Sequence, residues 1–173
     1  MRARAFWKAV TFDRGEFLDR VVALLREHGI KFCVVGGQAV NAYVEPVVSL
    51  DLDLAVAMEQ LALAESAFRG AFRLERFEHS LNVSAPDSDL RVQLQTDPRY
   101  SDFVERAAER EILGVRLPVA HVEDLLQGKI WAATDPTRRA SKRQKDLADI
   151  ARLLEAYPAL RERVPAAVLT RLV

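Results

Sequence analysis

The chain has a single cysteine, Cys33, in 173 residues, and that scarcity excludes an internal disulfide framework and a cysteine-rich zinc site. Cys33 lies in the apolar run Ile30 to Val35 and is expected to be a buried structural thiol. Histidine is also sparse: His28, His79 and His121 show no metal-ligand spacing and are expected as structural or surface residues. Net charge is absent, because 25 basic residues balance 25 acidic ones. The chain therefore lacks the global positive field of a dedicated nucleic-acid binder, and any such binding must be local. No apolar run approaches the ~20 residues of a membrane span. Met1 to Ala9 carries Arg2, Arg4 and Lys8 but leads into no apolar stretch of signal-peptide length. The expectation is a cytoplasmic protein with no membrane association. Repeats, low-complexity tracts and an interdomain linker are missing too, so a single domain over 1–173 is expected.

What is present is a globular composition, half apolar and 29% charged. Asp13 and Glu16 have the spacing of a capping box, and Phe17, Leu18, Val21, Val22, Leu24 and Leu25 follow at helical intervals up to Gly29. Ile30 to Val35 reads as a buried strand, Gly36-Gly37 as a turn, and Gln38 to Tyr43 as a helix closed by Pro46. A second strand is predicted within Val47 to Val56, a helix over Glu59 to Gly70, and a hairpin over Phe72 to Phe77 and Leu81 to Ser84. Leu90 to Gln95 alternates as a third principal strand, ended by Asp97-Pro98. Tyr100 to Arg110 reads as a polar helix or loop. A short Val115 to Val119 strand containing Pro118 leads into a helix over Val122 to Ala133, a turn at Asp135-Pro136, and a further helix to Pro158 with a short helical tail. Trp7 and Trp131 are expected to pack against the core, where indole rings bury large apolar area.

The chemistry concentrates in two places. Gly36-Gly37 ends a buried strand, and with no side chain in the way such a turn aims amide N–H groups and a helix N-terminus at one point, where phosphates bind. Asp51 and Asp53 are two apart in a strand, so they share a face and lie ~6.5 Å apart along it, with Leu50, Leu52 and Leu54 on the other. Side-by-side carboxylates repel unless a cation neutralises them, and two metal ions ~4 Å apart can clamp a phosphoryl transfer. The alternative for this pair is a solvated strand face.

The order Val34-Val35-Gly36-Gly37-Gln38-Ala39 followed by Ser49-Leu50-Asp51-Leu52-Asp53-Leu54 resembles the signature of the nucleotidyltransferase superfamily. The stretch Glu123 to Ala132, with Arg138-Arg139 and Ser141 to Ile150, is similar to the C-terminal half of the AbiEii-type toxin branch. The resemblance implies an α/β fold of the α+β kind: a mixed β-sheet flanked by helices over about 1–118 and a helical C-terminal part over about 119–173. It also implies that Gly36 and Gly37 hold a nucleoside triphosphate, that Asp51 and Asp53 carry Mg²⁺, and that the Ser49 hydroxyl touches a phosphate. Val47 stands where the family often has an arginine. The family's third carboxylate, on a neighbouring strand, matches Gln93, which supplies no charge and no base at neutral pH. Asp89 and Asp97 share its parity but sit ~13 Å along the strand.

Lys129 and the basic-Asp-x-x-Asp stretch Lys145, Asp146, Asp149 match the family's C-terminal helices. Lys142, Asp146 and Asp149 share one helix face. They read either as a salt-bridged surface helix or as a site in which Lys129 or Lys142 holds phosphates and Asp146 orients it. Arg138, Arg139, Lys142, Arg143 and Lys145 form a basic cluster, either a solvated face or a guide for RNA or an acidic partner surface. Three functions stay open. One is transfer of a nucleoside monophosphate to an RNA, protein or small-molecule hydroxyl, as the toxin of a toxin-antitoxin pair with an antitoxin protein as partner. Another is a nucleotide-binding or partner-binding module without turnover. The third is a purely structural or nucleic-acid-binding protein.

Overall fold

The structure is a computed structural model that describes residues 16–172 together with Ala5 and Ala9. Asp13 of the anticipated capping box and Trp7 lie outside the described residues. Helix α1, Phe17–Glu27, buries Phe17, Leu18, Val21, Val22 and Leu25 along one stripe and ends at Gly29, whose φ of 62° is the left-handed value glycine takes without strain. The chain then enters β1, Phe32–Val35, buried at all four positions.

Seven strands form one sheet in the order β3-β4-β5-β2-β1-β7-β6. Strand β2, Asp51–Val56, runs antiparallel to β1 on one side and parallel to β5, Arg91–Gln95, on the other. β3, Arg73–Arg76, and β4, Ser80–Ser84, make the expected hairpin, and β4 extends the sheet antiparallel to β5. At the far side β7, Val115–Val119, pairs parallel with β1 and antiparallel with β6, Ala108–Ile112. The sheet is mixed; of its inner strands, β1 leads into Gly36 and β2 carries the Asp51/Asp53 pair.

Several boundaries differ from the sequence reading. β2 starts at Asp51, because residues 47–50 form a loop with Val47 and Val48 exposed. Helix α2 spans Gly36–Val40, so the two glycines open the helix itself. Residues 100–110, read as a polar helix or loop, divide into a one-turn helix α4, Ser101–Glu105, and the start of β6. β6 is an edge strand with its first four residues exposed, and it carries no buried alternation for a sequence pattern to detect.

Helix α3, Leu61–Arg69, packs Ala64 and Phe68 inward. Helices α5, Val122–Thr134, and α6, Ala140–Ala156, lie together after the sheet, followed by a 3-10 turn, Pro158–Arg163, and a short helix α7, Ala166–Leu169. Two apolar clusters result. One joins α1, α3 and the sheet; the other joins Leu126, Ile130, Leu147, Ile150 and Leu153 with the C-terminal turns. The site lies between them. Among the described residues no helix is long and apolar enough to cross a membrane.

Candidate active site

Register decides what faces what. In the parallel β2/β5 pair Asp51 stands opposite Arg91 and Asp53 opposite Gln93, while on the other side Asp53 pairs with Val35, the last residue before the glycines. Asp53 is thus flanked by the glycine bend and by Gln93. The contact with the bend is close: Gly36 has φ 68°, and a Cβ built there would collide with the Asp53 carboxyl oxygen and lie 3.0 Å from the Asp53 Cβ. Conformation and space both require glycine. Gly37 is looser, since a Cβ would meet only Asp149 Oδ2 at 3.9 Å.

The two aspartates differ in surroundings. Burial pushes the Asp53 carboxyl up to about 6; Lys129 opposes the shift and neighbouring Asp51 adds to it. Asp51 is met by Arg91 Nε at 2.8 Å and Lys142 Nζ at 3.6 Å, both partly exposed. Ser49 sits just before the strand: its Oγ accepts from the Asp51 amide at 3.2 Å, and its carbonyl accepts from Gln38 Nε2 at 2.9 Å. Gln93 Nε2 donates to Asn82 Oδ1 at 2.8 Å and Ser80 Oγ at 3.2 Å, leaving Oε1 without a partner among the described residues.

Opposite the sheet, a chain of charges joins α5 and α6. Lys129 Nζ is 3.0 Å from Asp146 Oδ1 and 2.6 Å from Asp149 Oδ2. Arg138 Nε reaches Asp146 Oδ2 at 2.6 Å, and Arg152 Nη1 reaches Asp149 Oδ1 at 2.8 Å. Burial works against the Lys129 ammonium, but the two carboxylates outweigh it and hold its pKa above the ordinary lysine value. Asp146 is 2% exposed and Asp149 9%, so this face of α6 is an interior seam rather than a solvated surface. Arg152 Nη2 continues the chain to Asn41 Oδ1 at 2.9 Å and to the Glu45 carbonyl, tying α6 to the loop beyond the glycine helix.

The predicted site residues converge on two connected pockets. One holds Gly36, Asp53, Gln93, Lys129, Arg138 and Asp146. The other holds Gly37, Ser49, Asp51, Asp53, Lys142 and Asp146, with Val47, Val48 and Lys145 at its rim. Lys142 and Lys145 of α6 bring positive charge to this pocket. Sequence reasoning left out Arg91, Arg138 and Arg152 as members of this group. Arg91 was within reach, since it is two residues before Gln93 and must share its face beside Asp51. Arg152 was also within reach, since it lies three residues after Asp149 on one helix, whereas Arg138, in the turn before α6, was not.

Comparison with solved structures gives the same architecture. The chain is 16% identical to ANT(2")-Ia in the complex with adenylyl-2"-tobramycin, over 90% of this chain and 97% of that one, with a TM-score of 0.60. It is 9% identical to the lincosamide antibiotic adenylyltransferase LnuA, lincomycin-bound, over 79% and 95% of the two chains, with a TM-score of 0.53. These likenesses show the fold, a mixed sheet with helices of the nucleotidyltransferase kind. No curated protein sequence matches the chain. Residues 16–172 match the family described as nucleotidyl transferase AbiEii toxin, type IV TA system, and the chain belongs to that family.

Proposed function

We propose that this chain is a nucleotidyltransferase that binds a nucleoside triphosphate with Mg²⁺ beside the Gly36-Gly37 bend and Asp51/Asp53. It transfers the nucleoside monophosphate to a hydroxyl on RNA, protein or a small molecule, as the toxin of a toxin-antitoxin pair whose antitoxin protein is its partner. The observation that carries this reading is the closeness of Asp53 to Gly36: a half-buried carboxyl lies against a backbone bend that opens a helix, with no room between them for a methyl group.

The donors present fit Mg²⁺. Asp51, Asp53 and the Gln93 carbonyl are hard oxygen ligands, and this ion commonly takes one or two carboxylates and completes its shell with water and substrate phosphate oxygens. When bound it neutralises the phosphate charge that grows as the leaving group departs. Among the described residues no group of three or more His, Cys, Asp or Glu side chains is placed to hold a metal ion, so water and phosphate oxygens would complete the shell.

The chain's own residues do the rest. Gly36 and Gly37 let the triphosphate approach the α2 backbone, Ser49 and Lys142 bind its oxygens, and Asp146 with Asp149 holds Lys129 in place. The acceptor oxygen attacks the α-phosphorus, the α–β bridging bond breaks and pyrophosphate leaves. Gln93 cannot take the acceptor proton, which goes to water.

The test supplies each of the four α-labelled nucleoside triphosphates with Mg²⁺ to RNA, protein and small-molecule acceptor fractions and follows transfer of label. Asp51→Ala and Asp53→Ala should abolish it; undiminished transfer in both would sink the reading. Gln93 beside Asp53 favours a second reading, binding without turnover. In that case the wild type binds nucleotide calorimetrically without forming product and Gln93→Asp creates activity.

A further inference from the structure

Beyond Gln93, on the side away from the glycine bend, an open groove of about 600 Å³ lies between the end of β5 and the C-terminal half of α5. Its walls include Gln93, Gln95, Asp97, Arg99, Trp131 and Arg138. Gln93, Gln95 and Arg138 also line the pocket that contains Asp53, so the groove opens directly onto it. Its size is that of small-molecule sites, roughly 300–1,000 Å³.

One wall is a stack of flat groups. The Phe103 and Trp131 rings lie 11° from parallel with centroids 5.8 Å apart, and the Arg99 guanidinium carbon sits 4.5 Å over Trp131. Tyr100 packs edge-on against both rings, and Gly128 makes room for it, since a Cβ there would come within 3.3 Å of the tyrosine ring. Asp97 holds Arg99 in its orientation, with Nε at 2.9 Å and Nη2 at 2.6 Å from Oδ2. The Arg99 side chain is 54% exposed and forms the outermost layer of this stack.

Charge in the groove is largely cancelled in pairs, Arg99 by Asp97 and Arg138 by Asp146. Such a surface has little pull on a phosphate. A guanidinium plane seated on an aromatic is instead a stacking platform for a π ring. Beside it, Gln95 projects from the same face of β5 as Gln93; its amide both donates and accepts, the combination that reads the edge of a base.

We propose that this groove is a nucleobase subsite, in which a planar heterocycle stacks on the outer face of Arg99 while the Gln95 amide bonds its edge. The proposal rests on the nucleotidyl-transfer reading. The base belongs either to the incoming triphosphate or to an acceptor nucleoside, and the recognition chemistry is the same.

The experiment titrates the full chain calorimetrically, with Mg²⁺, against inorganic tripolyphosphate, the four nucleoside triphosphates, and the four nucleosides. Wild type, Arg99→Ala and Arg99→Lys are compared after checking that their thermal midpoints agree. Both variants should weaken base-bearing ligands at least fivefold and leave tripolyphosphate unchanged, because lysine keeps the charge but has no flat face. Weakening confined to nucleosides assigns the base to the acceptor; weakening of the triphosphates assigns it to the donor. Gln95→Leu should alter the order of preference among the four bases. Equal affinities in wild type and both Arg99 variants for every base-bearing ligand would overturn the subsite. Wild type that binds nucleosides but not tripolyphosphate would keep the subsite and remove the catalytic reading instead.

Discussion

At Gly36 two independent constraints meet, a φ of 68° and the Asp53 carboxyl where a side chain would begin. Gly36→Ala should lose about 1–3 kcal/mol of stability from backbone strain alone and should also displace Asp53. Gly37→Ala should be far milder, since its Cβ would meet ordinary van der Waals space. Chemical denaturation of both variants, with nucleotide binding measured in parallel, checks the contrast. A second prediction concerns Asp53, whose folded value of about 6 lies above the ordinary aspartate value of about 4. A raised carboxylate favours the folded state while protonated; its contribution is full below about pH 4 and is lost as pH rises through 6. In metal-free buffer, the thermal midpoint of Asp53→Asn should therefore gain on wild type between pH 4 and pH 7.5. A difference that stays flat across that range contradicts the burial of this group. Asp51 and Asp53 were legible in the sequence because period two puts them on one face. Their unequal surroundings were not, because desolvation depends on what α5 and α6 lay over them.

Helices α5 and α6 are held at the site by a seam of opposite charges. Lys129 bridges two buried carboxylates, and its removal leaves both without their shared cation. Lys129→Met should destabilise the fold by about 1–3 kcal/mol, because Asp146 keeps Arg138 and Asp149 keeps Arg152 but each loses a buried donor, while Arg139→Ala, on an exposed residue outside the seam, should cost little. Urea unfolding of the two variants decides this. The elements with strong periodicity, α1, α3, α5 and α6, were readable from spacing alone. Strand β6 was not, and the reason is local. It is joined to β7 by Leu113-Gly114, both at positive φ, the geometry of a two-residue type I′ hairpin loop. Leucine is an unusual first residue there, so the turn lacks the Asn-Gly or Asp-Gly signal that marks most such loops. With its outer residues exposed, β6 is specified by pairing with β7 rather than by its own pattern.

Over the whole molecule, β1 lies deep in the seven-stranded sheet and carries Cys33, which is 0% exposed, with its thiol pushed up to about 12 chiefly by burial. Only the thiolate reacts readily, so Cys33 should resist thiol reagents until the sheet opens. Labelling in mild denaturant should follow global unfolding. A ligand at 100 times its dissociation constant should slow it about 100-fold when opening and closing are fast, because binding to the folded state shifts that equilibrium. Nucleoside triphosphate with Mg²⁺ should give this protection, and its absence at saturating concentration contradicts the proposed site. The sequence by itself determined the order of the main elements, the shared face of the two aspartates, the glycine bend and the absence of disulfides, all of which follow from spacing along one chain. Only the tertiary structure decided that Asp53 lies against Gly36, that Lys129 of α5 enters the charge seam of α6, and that Arg99 caps the Trp131 stack. Those contacts join residues far apart in the chain, and they depend on sheet register and on how α5 and α6 close over the strands.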